Sequence, residues 1–422
     1  MERVSLSRSV ADLTSRWIRG PHGIRLAWLL LIAGSLTVIF ATAWVRSRMP
    51  GELLLRPLDL ATEQSLGTWW TAVQFLLFSA LMLSTRAAMA RCAPAADRAG
   101  LLLGLIGLAL FLDELASMHE QLALFAPAWL TPQDLILVPP GLLGAAALAL
   151  SLPAIFRLPA GPNRAAVPLT LGFVCFAMIY PQEWLEHNIH WAPWALGPRA
   201  AAEEGTELLG CLLLLVGAMR LRRELPRLSH RPQRLSAPPV AGLVVFAATA
   251  MLPVVLLRAS LTPEQLRLPD SGDFGSTLPT MLFALASLLA LQHARQNRRH
   301  ALAWLVFAGT LALSSAAAQV HFHHYLFRGL ELRPRGDFDL LWVIPMLALA
   351  ASWLPGAPVR RLWAGSAALW LVTLAVAWTG VPLLWVMLPH LVALAAAWTM
   401  LRYEPETARE PAEAPLSAGV AG

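Results

Sequence analysis

The chain contains no lysine and few charged residues of any kind. All 32 basic residues are arginine, and charged residues make up 14% of the 422 positions, whereas 57% are hydrophobic. We attach no chemistry to the missing lysine, since it is consistent with genomic base composition. The scarcity of charge excludes a string of soluble domains and is typical of a polytopic α-helical membrane protein.

Cysteines and known catalytic signatures are also scarce. The three cysteines, Cys92, Cys175 and Cys211, show no CxxC spacing, which argues against a disulfide framework or a zinc–thiolate site. No P-loop, GxSxG, HExxH or dinucleotide fingerprint occurs in a supporting context. The first 25 residues lack a signal-peptide pattern, so we expect Leu26–Val45 to remain as the first membrane helix.

Apolar runs of about 20 residues, the length that crosses a bilayer as a helix, are abundant. They predict an all-α fold with about twelve transmembrane helices, although edges read from sequence shift by a few residues. The predicted spans lie near 26–45, 68–86, 100–118, 136–155, 166–182, 204–220, 238–257, 277–292, 301–320, 339–354, 363–380 and 382–401.

The distribution of arginine predicts the orientation. With the N-terminus inside, 23 of the 32 arginines fall on the inner side, as the positive-inside rule requires, so we expect both termini in the cytoplasm. The same rule explains the net charge of +6 without nucleic acid as a partner. The predicted parts are a basic lead (1–25), a first membrane half with the polar site (26–222), a Pro/Arg-rich cytoplasmic linker (223–237), a second half (238–401) and a disordered tail (402–422).

Acidic residues stand at the end of an apolar run, in Phe111–Gln121, with the sequence FLDELASMHEQ. Ionisable groups at such depth cost several kcal/mol unless they are paired, neutralised or bound. Asp113 and Glu207 each lie 13 residues from the predicted inner surface, or roughly 20 Å at helical rise. We expect them to face each other, which requires a cation or a shared proton.

A divalent metal ion is the partner that this pattern favours, because helical bundles build metal centres from inward-pointing carboxylates and imidazoles. Glu183, His187 and His190 stand at i, i+4 and i+7, on one face if the helix continues past Pro181. The predicted metal ligands are Asp113, Glu114, Glu183, His187, His190, Glu204 and Glu207, and the predicted acid/base groups are His119 and Glu120.

Each group also has a simpler interpretation. Glu203 can be an acid at a helix start, where the macrodipole favours it. Glu186, His187 and His190 can be a polar helix end, and Asp113 and Glu207 can form protonated interhelical hydrogen bonds. A solvated loop is the simpler interpretation of the histidine cluster His321, His323 and His324.

The stretch LFLDELASMHEQL, with its DExxxxHE pattern, and the later EEGTELLG together resemble a group of uncharacterised bacterial multi-pass membrane proteins. The resemblance covers the third to sixth spans and implies no activity.

From the residues we expect a metal-dependent membrane hydrolase or transferase. It would act on a lipidic or lipid-linked substrate at the outer (periplasmic) face of the bacterial inner membrane. The alternatives are a proton- or cation-coupled secondary transporter and an envelope assembly factor.

Overall fold

A computed structural model describes residues 21–48, 65–116, 132–159, 161–228, 274–296 and 300–320. Within these ranges every regular element is helical, which confirms the all-α prediction. The α-helices are α1 (Pro21–Arg48), α2 (Leu66–Cys92), α3 (Pro94–Ala116), α4 (Pro132–Phe156), α5 (Ala166–Asn188), α6 (Pro193–Leu228), α7 (Phe274–Gln296) and α8 (Ala301–Val320), with a short 3₁₀ helix at Pro162–Ala165.

Five stretches of the described chain are long and apolar enough to cross a bilayer, namely Trp28–Val45, Leu66–Cys92, Pro94–Leu115, Pro162–Glu186 and Ala301–Val320. By length and composition they indicate an integral membrane protein. The predicted spans at 238–257, 339–354, 363–380 and 382–401 lie outside the described residues. The count of twelve spans and the orientation of the termini therefore stay predictions.

The helix boundaries follow local capping chemistry. The Ser65 hydroxyl accepts a hydrogen bond from the Thr68 backbone N–H at 3.0 Å, which caps α2. Ala93 is extended and Pro94 then opens α3, where the missing N–H of proline costs nothing. Helix α6 runs on to Leu228, so the first six positions of the predicted linker 223–237 are helical.

Helices α2 and α3 form a tight antiparallel pair because glycines on α3 let the backbones approach. A Cβ on Gly104 would lie 2.7 Å from Leu83 Cδ2, and one on Gly107 would lie 2.7 Å from Phe78 Cδ1. The Ser79 hydroxyl donates to the Gly104 carbonyl at 2.6 Å. Small residues and short interhelical hydrogen bonds of this kind hold helices together in lipid.

The second tight pair is α5 with α6. A Cβ on Gly172 would lie 2.9 Å from the Gly210 carbonyl oxygen, and one on Gly217 would lie 3.2 Å from the Ala165 carbonyl oxygen. These contacts leave almost no freedom for one helix to slide along the other. The side chains at the joined end of this pair are therefore held in a fixed register.

By contacts the chain divides into two units. The larger contains residues 27–284 and 314–340, and the other contains residues 1–26, 285–313 and 341–422. In the larger unit, Trp69 Nε1 donates to the Ser315 hydroxyl at 3.0 Å and Gln319 Nε2 donates to the Leu115 carbonyl at 3.1 Å. In the other unit, the Ser287 hydroxyl donates to the Ala308 carbonyl at 2.8 Å. The α5–α6 pair lies entirely in the larger unit.

Candidate acidic site

Three carboxylates meet at the joined end of α5 and α6. Glu183 and Glu186 come from α5 and Glu203 comes from α6. One oxygen of each lies within 4.8 Å of the others, and all three residues are half-buried. We refer to Glu183, Glu186 and Glu203 as the acidic cluster.

The local chain path explains why these residues converge. Helix α5 continues past Pro181 to Asn188, so Glu183 and Glu186 are one turn apart on the same face. Ile189 is extended, with φ −119° and ψ 130°, and Pro193 then begins α6. The chain thus turns back within a few residues, and Glu203 on α6 returns to the level of the two carboxylates on α5.

Arg199 provides the positive charge beside the cluster. Its guanidinium forms an ion pair with Glu186, and the two side chains are 12% and 36% exposed. Burial by itself would lower the pKa of Arg199. The hydrogen bond to Glu186 and the charges of Glu186, Glu203 and Glu183 outweigh burial and raise that pKa above its ordinary value.

The pKa of Glu203 is strongly raised. Burial is the largest cause, and the hydrogen bond and charge of Glu183 and the charge of Glu186 act in the same direction. Together they raise the pKa of Glu203 from 4.5 to about 8, although the charge of Arg199 lowers it in part. Glu203 therefore binds a proton at neutral pH and shares it with Glu183. One arginine does not neutralise three carboxylates, and the proton compensates a second, so one negative charge remains at the cluster.

Neutral polar groups fix the two helices beside the cluster. Gln182 Nε2 on α5 donates to the Thr206 hydroxyl on α6 at 3.2 Å. That hydroxyl donates in turn to the Ala202 carbonyl at 2.7 Å. The Gln182 Oε1 atom is buried and has no hydrogen-bond partner in the described part of the chain.

Large exposed aromatic residues lie on α5 near Glu183 and at the start of α6. The exposed fraction is 57% for Trp184, which follows Glu183 directly, 79% for Trp194 in the first turn of α6, and 45% for Tyr180. Tryptophan and tyrosine are enriched where a membrane protein crosses from hydrocarbon to headgroups. These exposed aromatic residues are of the kind found at that boundary.

A second group of polar residues lies further along α6, after Glu203. Glu207 on α6 and Glu114 on α3 are both close enough to the buried Cys211 thiol to act on it electrostatically, as is Cys175 on α5. Cys175 and Cys211 are free thiols. Carboxylates from α3 and α6 therefore approach one region of the bundle.

The predicted site residues have different positions. Glu183 lies in the acidic cluster. Asp113, Glu114, Glu204 and Glu207 are half-buried, and each takes part in a polar or electrostatic interaction. A direct approach of Asp113 to Glu207 stays a prediction.

Glu183, His187 and His190 do not all share one helical face, although the sequence spacing predicted it. That face required a helix through position 190, whereas α5 ends at Asn188 because the backbone at Ile189 is extended. His190 consequently lies beyond the helix and is exposed. His187 lies within α5, and His119, Glu120, His321, His323 and His324 lie outside the described residues.

Sequence reasoning did not select Glu186, Glu203 or Arg199 as site residues. It offered Glu203 as an acid at a helix start, but α6 begins ten residues earlier at Pro193, outside the reach of the macrodipole. The signal was the spacing of two pairs: Glu183 and Glu186 at i, i+3, and Arg199 and Glu203 at i, i+4 on the next helix.

Comparison with protein families gives a match to about the first half of the chain. Residues 24–221 are similar to a family described as a domain of unknown function, DUF8692. The matched stretch contains the whole acidic cluster and Arg199. No curated protein and no solved structure matches the chain.

Proposed function

We propose that this protein is a metal-dependent integral membrane enzyme. In this proposal the acidic cluster binds one divalent cation, and the substrate is lipidic or lipid-linked. The convergence of Glu183, Glu186 and Glu203 within 4.8 Å, on two helices held in fixed register, is the observation that carries the proposal.

The donor set is suited to a hard divalent cation. Carboxylate oxygens favour Mg²⁺, Ca²⁺ or Mn²⁺ over metals that prefer sulfur or imidazole. Arg199 balances one carboxylate through its ion pair with Glu186, so a divalent cation would compensate the other two once Glu203 loses its proton. Asp113, Glu114, Glu204, Glu207, His187 and His190 stay predicted contributors to the same or a neighbouring site.

The surroundings favour an amphiphilic substrate. Trp184, adjacent to Glu183 on α5, and Trp194, at the start of α6, are exposed and offer apolar faces to an acyl or prenyl chain. The carboxylates and Arg199 offer a polar environment for its headgroup. A divalent cation bound here would supply polarisation of a phosphoryl or carbonyl oxygen, or activation of water, for hydrolysis or group transfer. His119 and Glu120 stay the predicted acid/base groups.

For the setting we propose a bacterial inner membrane, about twelve spans, both termini in the cytoplasm and the acidic cluster at the outer face. The arginines of the α5–α6 pair support this orientation. Arg164 and Arg220 are exposed at the end of the pair away from the cluster. The 17 residues from Glu203 to Arg220 span about 25 Å of helix, close to the thickness of the hydrocarbon core.

The cation site is tested by equilibrium dialysis of the purified protein against Mn²⁺. We expect one saturable site per chain, weakened at least tenfold in Glu183→Gln and in Glu203→Gln. Glu224→Gln, on the same helix but near Arg223, is the matched control and should bind as the wild type does. Equal binding by all four proteins, or no saturable binding, would remove the basis of the proposal.

The enzyme activity needs its own test. Protein reconstituted in native lipid extract is incubated with Mn²⁺ or with EDTA, and the lipids are compared by mass spectrometry. We expect a metal-dependent change in a lipid or lipid-linked species that is lost in Glu183→Gln. Metal binding without any such change would contradict the enzyme and leave a cation-binding protein.

A second candidate is proton- or cation-coupled transport. It is favoured by the pKa of about 8 for Glu203, whose proton is shared with Glu183, because transporters couple ion binding to such carboxylates. Ion-gradient-driven uptake into liposomes that is lost in Glu203→Gln would support transport over catalysis. An unchanged gradient dependence in that variant would contradict it.

A further inference from the structure

The end of the α5–α6 pair away from the acidic cluster exposes several arginines next to apolar surface. Arg157 lies just after α4, Arg164 in the 3₁₀ helix, and Arg220 and Arg223 on α6, and all four are exposed. In the described chain, this part of α6 has one carboxylate, Glu224. Its Oε1 atom lies 3.8 Å from Arg223 Nε. Positive charge is therefore in excess here.

The loop that carries Arg157 and Arg164 is held by its own hydrogen bonds. The backbone N–H of Arg157 donates to the Pro153 carbonyl at 3.2 Å, and the backbone N–H of Arg164 donates to the Gly161 carbonyl at 3.2 Å. Gly161 has φ +111°, a backbone conformation that glycine adopts without a Cβ clash. This bend directs the chain into the 3₁₀ helix and fixes the position of Arg164.

Helix α6 holds Arg220 beside that loop. Arg220 Nη1 donates to the Arg164 carbonyl at 3.3 Å. One turn earlier on α6, the position of a Cβ on Gly217 is 3.2 Å from the Ala165 carbonyl oxygen, so loop and helix are in close contact. A guanidinium has five N–H donors in a planar fork. Among the described residues Arg220 uses one of them on the loop, which leaves others for an anion.

Apolar side chains continue directly from this charged group. Phe156, adjacent to Arg157, is 53% exposed, and Val167 and Leu171 in the first turns of α5 are 54% and 48% exposed. A soluble anion would gain nothing from them. A phospholipid would place its phosphate at the arginines and its acyl chains along Phe156, Val167 and Leu171.

We infer that Arg157, Arg164 and Arg220, with the exposed apolar residues beside them, form a binding site for the headgroup of an anionic phospholipid of the surrounding bilayer. The site is separate from the acidic cluster and does not depend on the proposed enzyme activity. The hydrogen bond from Arg220 to the Arg164 carbonyl holds these two residues side by side, so binding should exceed the general attraction of a basic surface to anionic lipid.

Native mass spectrometry of the full chain in neutral detergent tests this inference. The protein is titrated with phosphatidylglycerol and, separately, with phosphatidylcholine. We expect the first phosphatidylglycerol to bind about tenfold or more tightly than the first phosphatidylcholine. In Arg164→Gln/Arg220→Gln this preference should fall to about threefold or less.

The control removes the same charge elsewhere. Arg98→Gln/Arg295→Gln replaces two other exposed arginines and should keep the wild-type preference. Should the site double variant not fold, as judged by circular dichroism, Arg157→Gln is the second variant and should lose part of the preference. Soluble glycerophosphoglycerol should not displace the lipid at equal concentration, because it lacks acyl chains.

Three results would overturn the inference. The wild type could show no preference for phosphatidylglycerol. The control variant could lose as much preference as the site variant, which would show attraction to positive charge in general. Glycerophosphoglycerol could compete as well as the lipid, which would show a site for free phosphate esters.

Discussion

Binding of a divalent cation at the acidic cluster should release a proton from Glu203. The pKa of Glu203 is raised to about 8, so most molecules carry this proton at pH 7. A metal ligand has to be deprotonated, so each bound cation should release about one proton at pH 7 and much less at pH 9. Cation affinity should also rise about tenfold per pH unit up to pH 8 and level off above it.

The assay is isothermal titration calorimetry with Mn²⁺ in two buffers that differ in ionisation enthalpy. The difference in observed heat gives the number of protons released per cation. In Glu203→Gln the release at pH 7 should fall close to zero, while Glu224→Gln should release as much as the wild type. Proton release that survives in Glu203→Gln would refute this role of Glu203, and so would binding without release at pH 7.

Three further predictions concern charge, pH and packing. Arg199→Gln removes the group that lowers the pKa of Glu203, so a carboxyl infrared titration should place that pKa above its wild-type value; a lower value would contradict the electrostatic account. Because the folded pKa of Glu203 is raised from 4.5 to about 8, its contribution favours folding below pH 4.5 and is lost as the pH rises through 8. Metal-free thermal stability should therefore fall over this window by about 2 kcal/mol after allowance for solvent screening, and a loss of the same size in Glu203→Gln would count against this assignment. Gly172→Ala places a Cβ 2.9 Å from the Gly210 carbonyl and should destabilise the protein by about 1–3 kcal/mol, whereas Gly144→Ala, with no atom within 4 Å, should not destabilise it in the same thermal unfolding measurement.

The positions of the helices could be predicted from the sequence because bilayer crossing requires a long apolar run. Span 301–320 coincides with α8 (Ala301–Val320), and span 26–45 lies within α1 (Pro21–Arg48). Span 204–220 locates α6 but misses its first eleven residues. Those residues include Arg199 and Glu203. Because they are too polar to be recognised as part of an apolar run, hydropathy does not show that the helix includes them.

The composition of the site was harder to predict for the same reason. Glu183 could be selected from its spacing with His187 and His190. The partnership with Glu203 depends on where the chain turns between two helices, and the extended backbone at Ile189 decides this. That turn also removes His190 from the helical face. Backbone geometry at a short turn is a tertiary property that spacing along the chain does not encode.

The central claim is that Glu183, Glu186 and Glu203 together bind one divalent cation. Anomalous X-ray scattering from crystals of the protein grown with Mn²⁺ tests it most directly. The account predicts one strong peak within coordination distance of carboxylate oxygens from all three residues, absent in crystals of Glu183→Gln. A peak elsewhere with none at the cluster, or a peak that persists unchanged in the variant, would contradict the account.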